Sequence, residues 1–271
     1  MKRMRLANKV AIILGAGQSP GEGVGNGRAV ALLFAREGAK VVCVDCSLEA
    51  AEATAKLIRD EGFEAYSFAA DVVKEASLKT AIDDCVARYG RIDTMHYNVG
   101  VSIGGGDKSP LEITEDAFDN VNAINLRGLV MAAKHVIPVM RRQQSGSIIA
   151  ISSIAALSST YPTVAYKTTK AGMIAFIEQI ARHNAEFGVR ANVILPGLMD
   201  TPMAVDTRAR EWGKPRSEIA AGRDARVPLR RKMGTAWDVA HAALFLASDD
   251  ANFITGVSLP VDGGASLRSG D

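Results

Sequence analysis

Residues 166–170 read Tyr-Lys-Thr-Thr-Lys. On a helix, positions four apart share one face, so Tyr166 and Lys170 stand side by side. A phenol with a pKa of ~10 is a poor base at neutral pH. An ammonium ~4–5 Å away, at an effective dielectric of ~20, favours the phenolate by roughly 3–4 kcal/mol. That is about what a phenol needs to exchange a proton with an alcohol near neutrality. The same spacing also arises as an ordinary surface pair, so the surrounding sequence decides. Thirteen residues upstream, Ser153 ends the apolar run GSIIAISS. A parallel sheet presents its chemistry at the carboxyl ends of its strands. A hydroxyl there can hydrogen-bond a substrate oxygen.

A second cluster lies near the start of the chain. The run Val10–Leu14 passes into GAGQSPGEGVGNG, residues 15–27, and a helix is predicted from about Asn26. Backbone N–H groups at a helix N-terminus, with no Cβ in the way, form a phosphate cradle, which is why glycines gather there. Asp45 ends the next apolar run 18 residues after Gly27, near the ~20 expected of a ribose-binding acid. A carboxylate at that point accepts from both adenosine ribose hydroxyls and repels a 2′-phosphate. Residues 46 and 47 are Cys and Ser, and Val24 precedes Gly25, so no basic side chain stands ready for that phosphate. NAD is therefore favoured over NADP. The alternative role for Asp45 is to cap a helix starting near Ser47.

The elements that must position these residues are visible as a rhythm. Apolar runs at 10–14, 40–44, 65–70, 92–97, 146–152, 189–195 and 256–261 alternate with stretches of three- and four-residue apolar spacing. Strands that are apolar without alternation, each followed by a helix, predict a parallel sheet covered on both faces. The expectation is a single α/β domain over residues 1–271, a doubly wound seven-stranded Rossmann-like sheet. The stretch 199–234, rich in Arg, Pro and Gly, breaks the rhythm before the last helix and strand and reads as a lid. Composition agrees: 48% hydrophobic and 23% charged residues suit a globular chain. A net charge of +2 argues against nucleic-acid or polybasic membrane binding. No apolar run approaches the ~20 residues of a membrane span, and the basic N-terminus lacks the apolar length of a signal peptide. The cysteines 43, 46 and 85 form no disulfide framework and suit a reducing cytoplasm. The Cys43–Cys46 spacing has no second pair, and His96, His135, His183 and His241 have no ligand spacing, so no metal is expected.

In order along the chain stand the glycine turn, DVV at 71–73, YNVG at 97–100, NAINLRG at 122–128, ISS at 151–153, YKTTK, PGLMDTP at 196–202 and PVDGG at 260–264. On these motifs the chain resembles the short-chain dehydrogenase/reductases, in the branch of about 250 residues, from Val10 to Gly264. The resemblance implies a catalytic tetrad of Asn125, Ser153, Tyr166 and Lys170. Ser153 would polarise the substrate oxygen and Tyr166 take or give its proton. Lys170 would lower the tyrosine pKa and hold the nicotinamide ribose. Asn125 would bend its helix and hold a water linking Lys170 to solvent. Gly15, Gly25, Asn26, Gly27, Asp45, Asp71, Val72, Asn98, Val99, Gly100, Pro196, Gly197 and Thr201 would contact the dinucleotide together with Tyr166 and Lys170, Thr201 holding the carboxamide.

Two departures stand out. Nine residues separate Gly15 from Gly25, six more than the family pattern; the rival register Gly17–Gly21–Gly23 leaves four residues before the helix. The first register is preferred, and the insertion is predicted to bulge over the diphosphate or adenosine ribose. Tyr97 and Val99 replace the usual Asn and Ala beside the cofactor. Pocket candidates are Val101, Ser102, Ile103, Ile154, Tyr161, Leu198 and Met203. They are mostly apolar with no fixed cation, which predicts a neutral secondary alcohol, an alicyclic one among the candidates, or its ketone as the small-molecule substrate. The cluster RVPLRRK at 226–232 reads as a solvated face or a subunit-contact loop. The alternatives are a 3-oxoacyl-thioester reductase and, from another class, a non-catalytic NAD-binding module. Helices expected over 115–142 and 162–187 have wide apolar faces, and the family pairs them across subunits, so a homotetramer is expected.

Overall fold

In the computed structural model, which describes residues 4–267, each predicted apolar run becomes a strand. They are β1 (Val10–Leu14), β2 (Lys40–Asp45), β3 (Ala65–Ala69), β4 (Thr94–Tyr97), β5 (Gly146–Ile151) and β6 (Val189–Pro196). A two-residue pair follows, β7 (Met199–Asp200) and β8 (Gly234–Thr235), and then β9 (Ser258–Val261). The seven longer strands form one sheet in the order β3-β2-β1-β4-β5-β6-β9, and every pairing is parallel.

The crossovers are α1 (Asn26–Arg36), α2 (Leu48–Asp60), α3 (Glu75–Tyr89), α4 (Glu115–Asn122), α5 (Gly128–Gln143), α6 (Val164–Asn184) and α9 (Ala236–Ala247). They cover both faces, which explains strands that are apolar without alternation. In β1, Ala11 and Ile13 pack with α1, α2 and α9, whereas Val10, Ile12 and Leu14 pack with α3, α5 and α6. Successive Cβ atoms point to opposite faces, and with both faces covered all five positions of β1 are buried and apolar.

The helix expected over 115–142 is interrupted. A π-helical turn at Ala123–Arg127 joins α4 to α5, and the Tyr97 hydroxyl donates to the Ile124 carbonyl there at 2.6 Å. Such turns loosen the i→i−4 ladder and leave carbonyls in need of donors. Gly128 belongs to the same device: a Cβ on it would meet that hydroxyl.

Residues 199–234 carry more structure than a lid loop. They hold β7, a π turn at Pro202–Asp206, α7 (Thr207–Trp212), α8 (Arg216–Asp224) and β8. The segment has its own small core of Val205, Ile219, Val227 and Met233. Among the described residues, no helix is long and apolar enough to cross a membrane.

Candidate active site

At the carboxyl ends of β1, β2, β4, β5 and β6, where the strand order reverses between β1 and β4, lies a cleft of about 2130 Å³. Open parallel sheets bind ligands at such switch points. All thirteen residues assigned to the cofactor border it, as do Ser153, Tyr166, Lys170 and the seven pocket candidates. Tyr97 does not: its ring is fully buried under the π turn. The expectation that Tyr97 crowds the cofactor is thereby corrected, because the strand alternation turns position 97 into the core. Val99 does border the cleft.

The glycine turn takes the first register. Gly15 has φ +81°, and a Cβ on Gly27 would collide with the Gly15 carbonyl. Gly25 is the N-cap of α1, with no side chain capping the helix. The insertion closes as its own loop: Gln18 Oε1 accepts from Gly25 N at 3.0 Å and Nε2 donates to the Gly23 carbonyl at 3.1 Å. Beyond that loop the insertion reaches the lid. Glu22 N donates to Asp206 Oδ1 at 3.2 Å, Arg210 donates to the Pro20 carbonyl at 3.1 Å, and Arg216 lies 3.6 Å from Glu22.

Asp45 is not the cap of α2, the alternative role weighed for it. Its carboxylate accepts from Gly17 N at 3.0 Å and from Ser47 N at 3.1 Å, while facing the cleft. The cap of α2 is Ser47, whose hydroxyl accepts from Ala50 N at 3.2 Å. Gly17 has no room for a side chain, since a Cβ would come within 2.6 Å of Asp45 Oδ2. Arg28, also at the cleft, donates from Nε to Thr54 at 3.0 Å. The cradle fits a dinucleotide: a helix start without a side-chain cap, glycines where Cβ atoms would intrude, and a buried Asn26 Oδ1 with no protein partner.

Across the cleft, α6 carries Tyr166 and Lys170 on one face, with Lys170 Nζ 5.5 Å from the Tyr166 ring centroid. Tyr161 stacks on Tyr166, the ring centroids 5.7 Å apart. Lys170 is buried and donates to the Ile151 carbonyl at 2.7 Å. Gly100 lets it approach, since a Cβ there would lie 3.0 Å from Nζ.

Asn125 sits in the π turn, fully buried, and does not border the cleft. Its amide accepts from Val101 N at 2.8 Å and donates to the Val101 carbonyl at 3.0 Å and to Thr169 Oγ1 at 3.1 Å. Those bonds join the loop after β4 to α6. The sequence offered no sign of Asp107, whose buried carboxylate accepts from Ala165 N and Tyr166 N, both at 2.9 Å. It caps the first turn of α6 from 58 and 59 residues away, a separation that hides it from any local motif.

The electrostatics depart from the simple ammonium–phenolate pair. Burial pushes the Tyr166 phenol up to about 12, against smaller downward pulls from Ser153, Arg208 and Arg223. Burial likewise pushes Lys170 down to about 7. Desolvation disfavours both charges, so it outweighs the mutual attraction expected from spacing alone.

A second correction concerns the pocket's charge. Arg208, Arg223, Arg226 and Arg231 all border the cleft, although the sequence suggested no fixed cation. Burial, then the like charges of Arg208 and Arg226, lower Arg223 to about 10.

The model of the family described as "Enoyl-(Acyl carrier protein) reductase" matches residues 22–266. The chain belongs to the short-chain dehydrogenase/reductase family. It is 35% identical over 263 residues to 2,5-dichloro-2,5-cyclohexadiene-1,4-diol dehydrogenase LinX of Sphingobium indicum, covering 97% of this chain and 98% of that one. It is 32% identical over 263 residues to the 3-oxoacyl-[acyl-carrier-protein] reductase FabG of Thermotoga maritima, covering 96% and 99%. The crystal structure of a putative short-chain dehydrogenase/reductase from Burkholderia xenovorans superposes with a TM-score of 0.91 at 40% identity, covering 98% and 99%. This dehydrogenase/reductase interconverts an alcohol and a ketone with a nicotinamide cofactor.

Proposed function

We propose that the enzyme is an NAD-linked secondary-alcohol dehydrogenase, and that one arrangement carries this reading: Tyr166, Ser153 and Lys170 face the glycine cradle across a single cleft. The nicotinamide ring, when bound, supplies or accepts the hydride. The protein's part is to bind, orient and move one proton. Ser153 Oγ positions the substrate oxygen, and Tyr166 Oη takes its proton in oxidation as the phenol's own proton passes toward Lys170, with the reverse in reduction. Lys170 Nζ, lowered by burial to about 7, would hold a nicotinamide-ribose hydroxyl and take up the proton that the phenol releases. Asn125 is a positioning residue, holding Val101 and Thr169 at the edges of the site.

Asp45 supports NAD: it lines the adenosine end of the cleft, where a carboxylate repels a 2′-phosphate. The remaining cofactor contacts are Gly15, Gly25, Asn26, Gly27, Asp71, Val72, Asn98, Val99, Gly100, Pro196, Gly197 and Thr201. The protomers assemble as a homotetramer through the outer faces of α5 and α6, where Met131, Ile137, Ile174 and Phe176 remain partly exposed. NAD- and NADP-linked rates on a panel of secondary alcohols test the reading, with Tyr166→Phe alongside. NAD is preferred, and the variant loses at least about 10³-fold in kcat while binding the cofactor normally. Preference for NADP would remove the role given to Asp45, and an unimpaired variant would remove that of Tyr166.

A further inference from the structure

The lid's arginines divide into two groups. Arg216 gathers the acids: Asp200 at 2.5 Å, Asp206 at 3.4 Å and Glu22 at 3.6 Å. Arg208 and Arg223 gather none. Among the described residues, no carboxylate lies within 4.0 Å of either guanidinium or of that of Arg226. Arg208 donates only to the Ala204 carbonyl at 2.8 Å, and Arg223 only to Met233 Sδ at 3.3 Å and the Met199 carbonyl at 3.4 Å. Both are half-buried, both border the cleft, and the charge of both reaches the Tyr166 phenol.

Partly desolvated charges are ordinarily paired, and like charges brought together raise the penalty. Within the lid only Asp200, beyond ion-pair distance and already paired with Arg216, offsets any of it, and that for Arg223 alone. The strain nearby points the same way, because Arg230 and Arg231 are consecutive non-glycine residues with φ +57° and +50°, a conformation held only where surroundings enforce it. Arg231 donates to the Ala225 carbonyl at 2.9 Å, which ties the loop back over the end of α8.

We propose that Arg208 and Arg223 bind an anionic group on the substrate, so that the enzyme takes a secondary alcohol or ketone carrying a carboxylate, sulfonate or phosphate. This rests on the alcohol–ketone chemistry proposed for the same cleft. The guanidinium forks supply paired donors of the geometry such oxyanions accept. The partial exposure of the site leaves the anion's remaining lone pairs access to water.

The test is equilibrium binding by calorimetry, with the enzyme saturated in reduced cofactor so that added alcohols form dead-end complexes. The probes are 3-hydroxybutyrate, 2-hydroxypropanesulfonate and 2-hydroxypropyl phosphate, against the neutral 3-hydroxybutyramide. At least one charged probe binds ten-fold or more tightly than the amide, and its affinity falls with added salt. Arg223→Gln and Arg208→Gln each weaken that probe by about 10- to 100-fold and leave the amide unchanged. Tyr166→Phe removes the same hydroxyl contact from every probe, so the ratio of charged to amide affinity stands whatever becomes of the proton-transfer reading. If Arg223→Gln does not fold, Arg208→Gln decides, since Arg208 holds only one carbonyl. Equal affinity for charged and neutral probes, or failure of all of them to bind, would overturn the proposal. So would an Arg223→Gln variant that loosens the cofactor as much as the probe, because the guanidinium would then serve the dinucleotide diphosphate.

Discussion

Replacing Lys170 by methionine isolates the electrostatic cost of the buried amine. Lys170 is 2% exposed, and burial lowers its pKa from 10.5 to about 7. The unfolded chain therefore binds the proton more tightly than the folded one throughout that window. Wild-type stability rises with pH from about 7 to 10.5, and the penalty is present in full below 7. Integrated over the window, the amine costs about 4 kcal/mol at pH 7 and about 1 kcal/mol at pH 10. Lys170→Met removes this and leaves the Ile151 carbonyl without its 2.7 Å donor, a loss of about 1–3 kcal/mol at every pH. The variant should thus be more stable than wild type at pH 7 and no more stable at pH 10. Because the carbonyl and packing losses do not titrate, the change in the difference, about 3 kcal/mol, reports the charge alone. Urea midpoints followed by circular dichroism, without cofactor and at fixed protomer concentration, measure it. Parallel stability curves for the two proteins would show that the amine is not desolvated, and the account of Tyr166 and Lys170 would fall with it.

Asp107→Ala strips two first-turn amides of α6 of their acceptor and should cost about 2–4 kcal/mol. The informative readout is kcat: a loss larger than the loss of cofactor affinity shows that Tyr166 has moved. Tyr97→Phe deletes one buried hydroxyl and leaves the Ile124 carbonyl short of a donor, which should lower stability by about 1–2 kcal/mol. Its cofactor affinity should stay within two-fold, since Tyr97 does not face the cleft, and a larger change in fluorescence titration would reinstate it as a cofactor neighbour.

Fold and site differ in how much of them could be read from residue order. The strands were legible because burial on both faces makes each a solid apolar run, and β1 through β6 start and end within two residues of expectation. Tyr166 with Lys170, and Gly15 with Gly25 and Gly27, were legible because helical spacing and a strand-to-helix turn are local geometries. The bend at Asn125 was anticipated, but its support by Tyr97 was not, since a strand residue's side tells nothing of its hydrogen-bond partner. Asp107 and the arginine pair stayed hidden for the same reason on a longer scale. Their meaning depends on which distant groups fold against them, and in residues 199–234 no periodicity marks which side faces inward.

The bridge between the glycine-loop insertion and the lid has a kinetic corollary. Its members, Glu22 with Arg216 and Asp206, and Pro20 with Arg210, are single exposed or half-exposed bonds, each contributing under about 1 kcal/mol. Three such bonds sum to at most about 3 kcal/mol, so raising the salt concentration should loosen the insertion from the lid. If the proposed dinucleotide seats in the cleft that Gln18, Ser19 and Pro20 border, salt that weakens this clasp should also quicken its release.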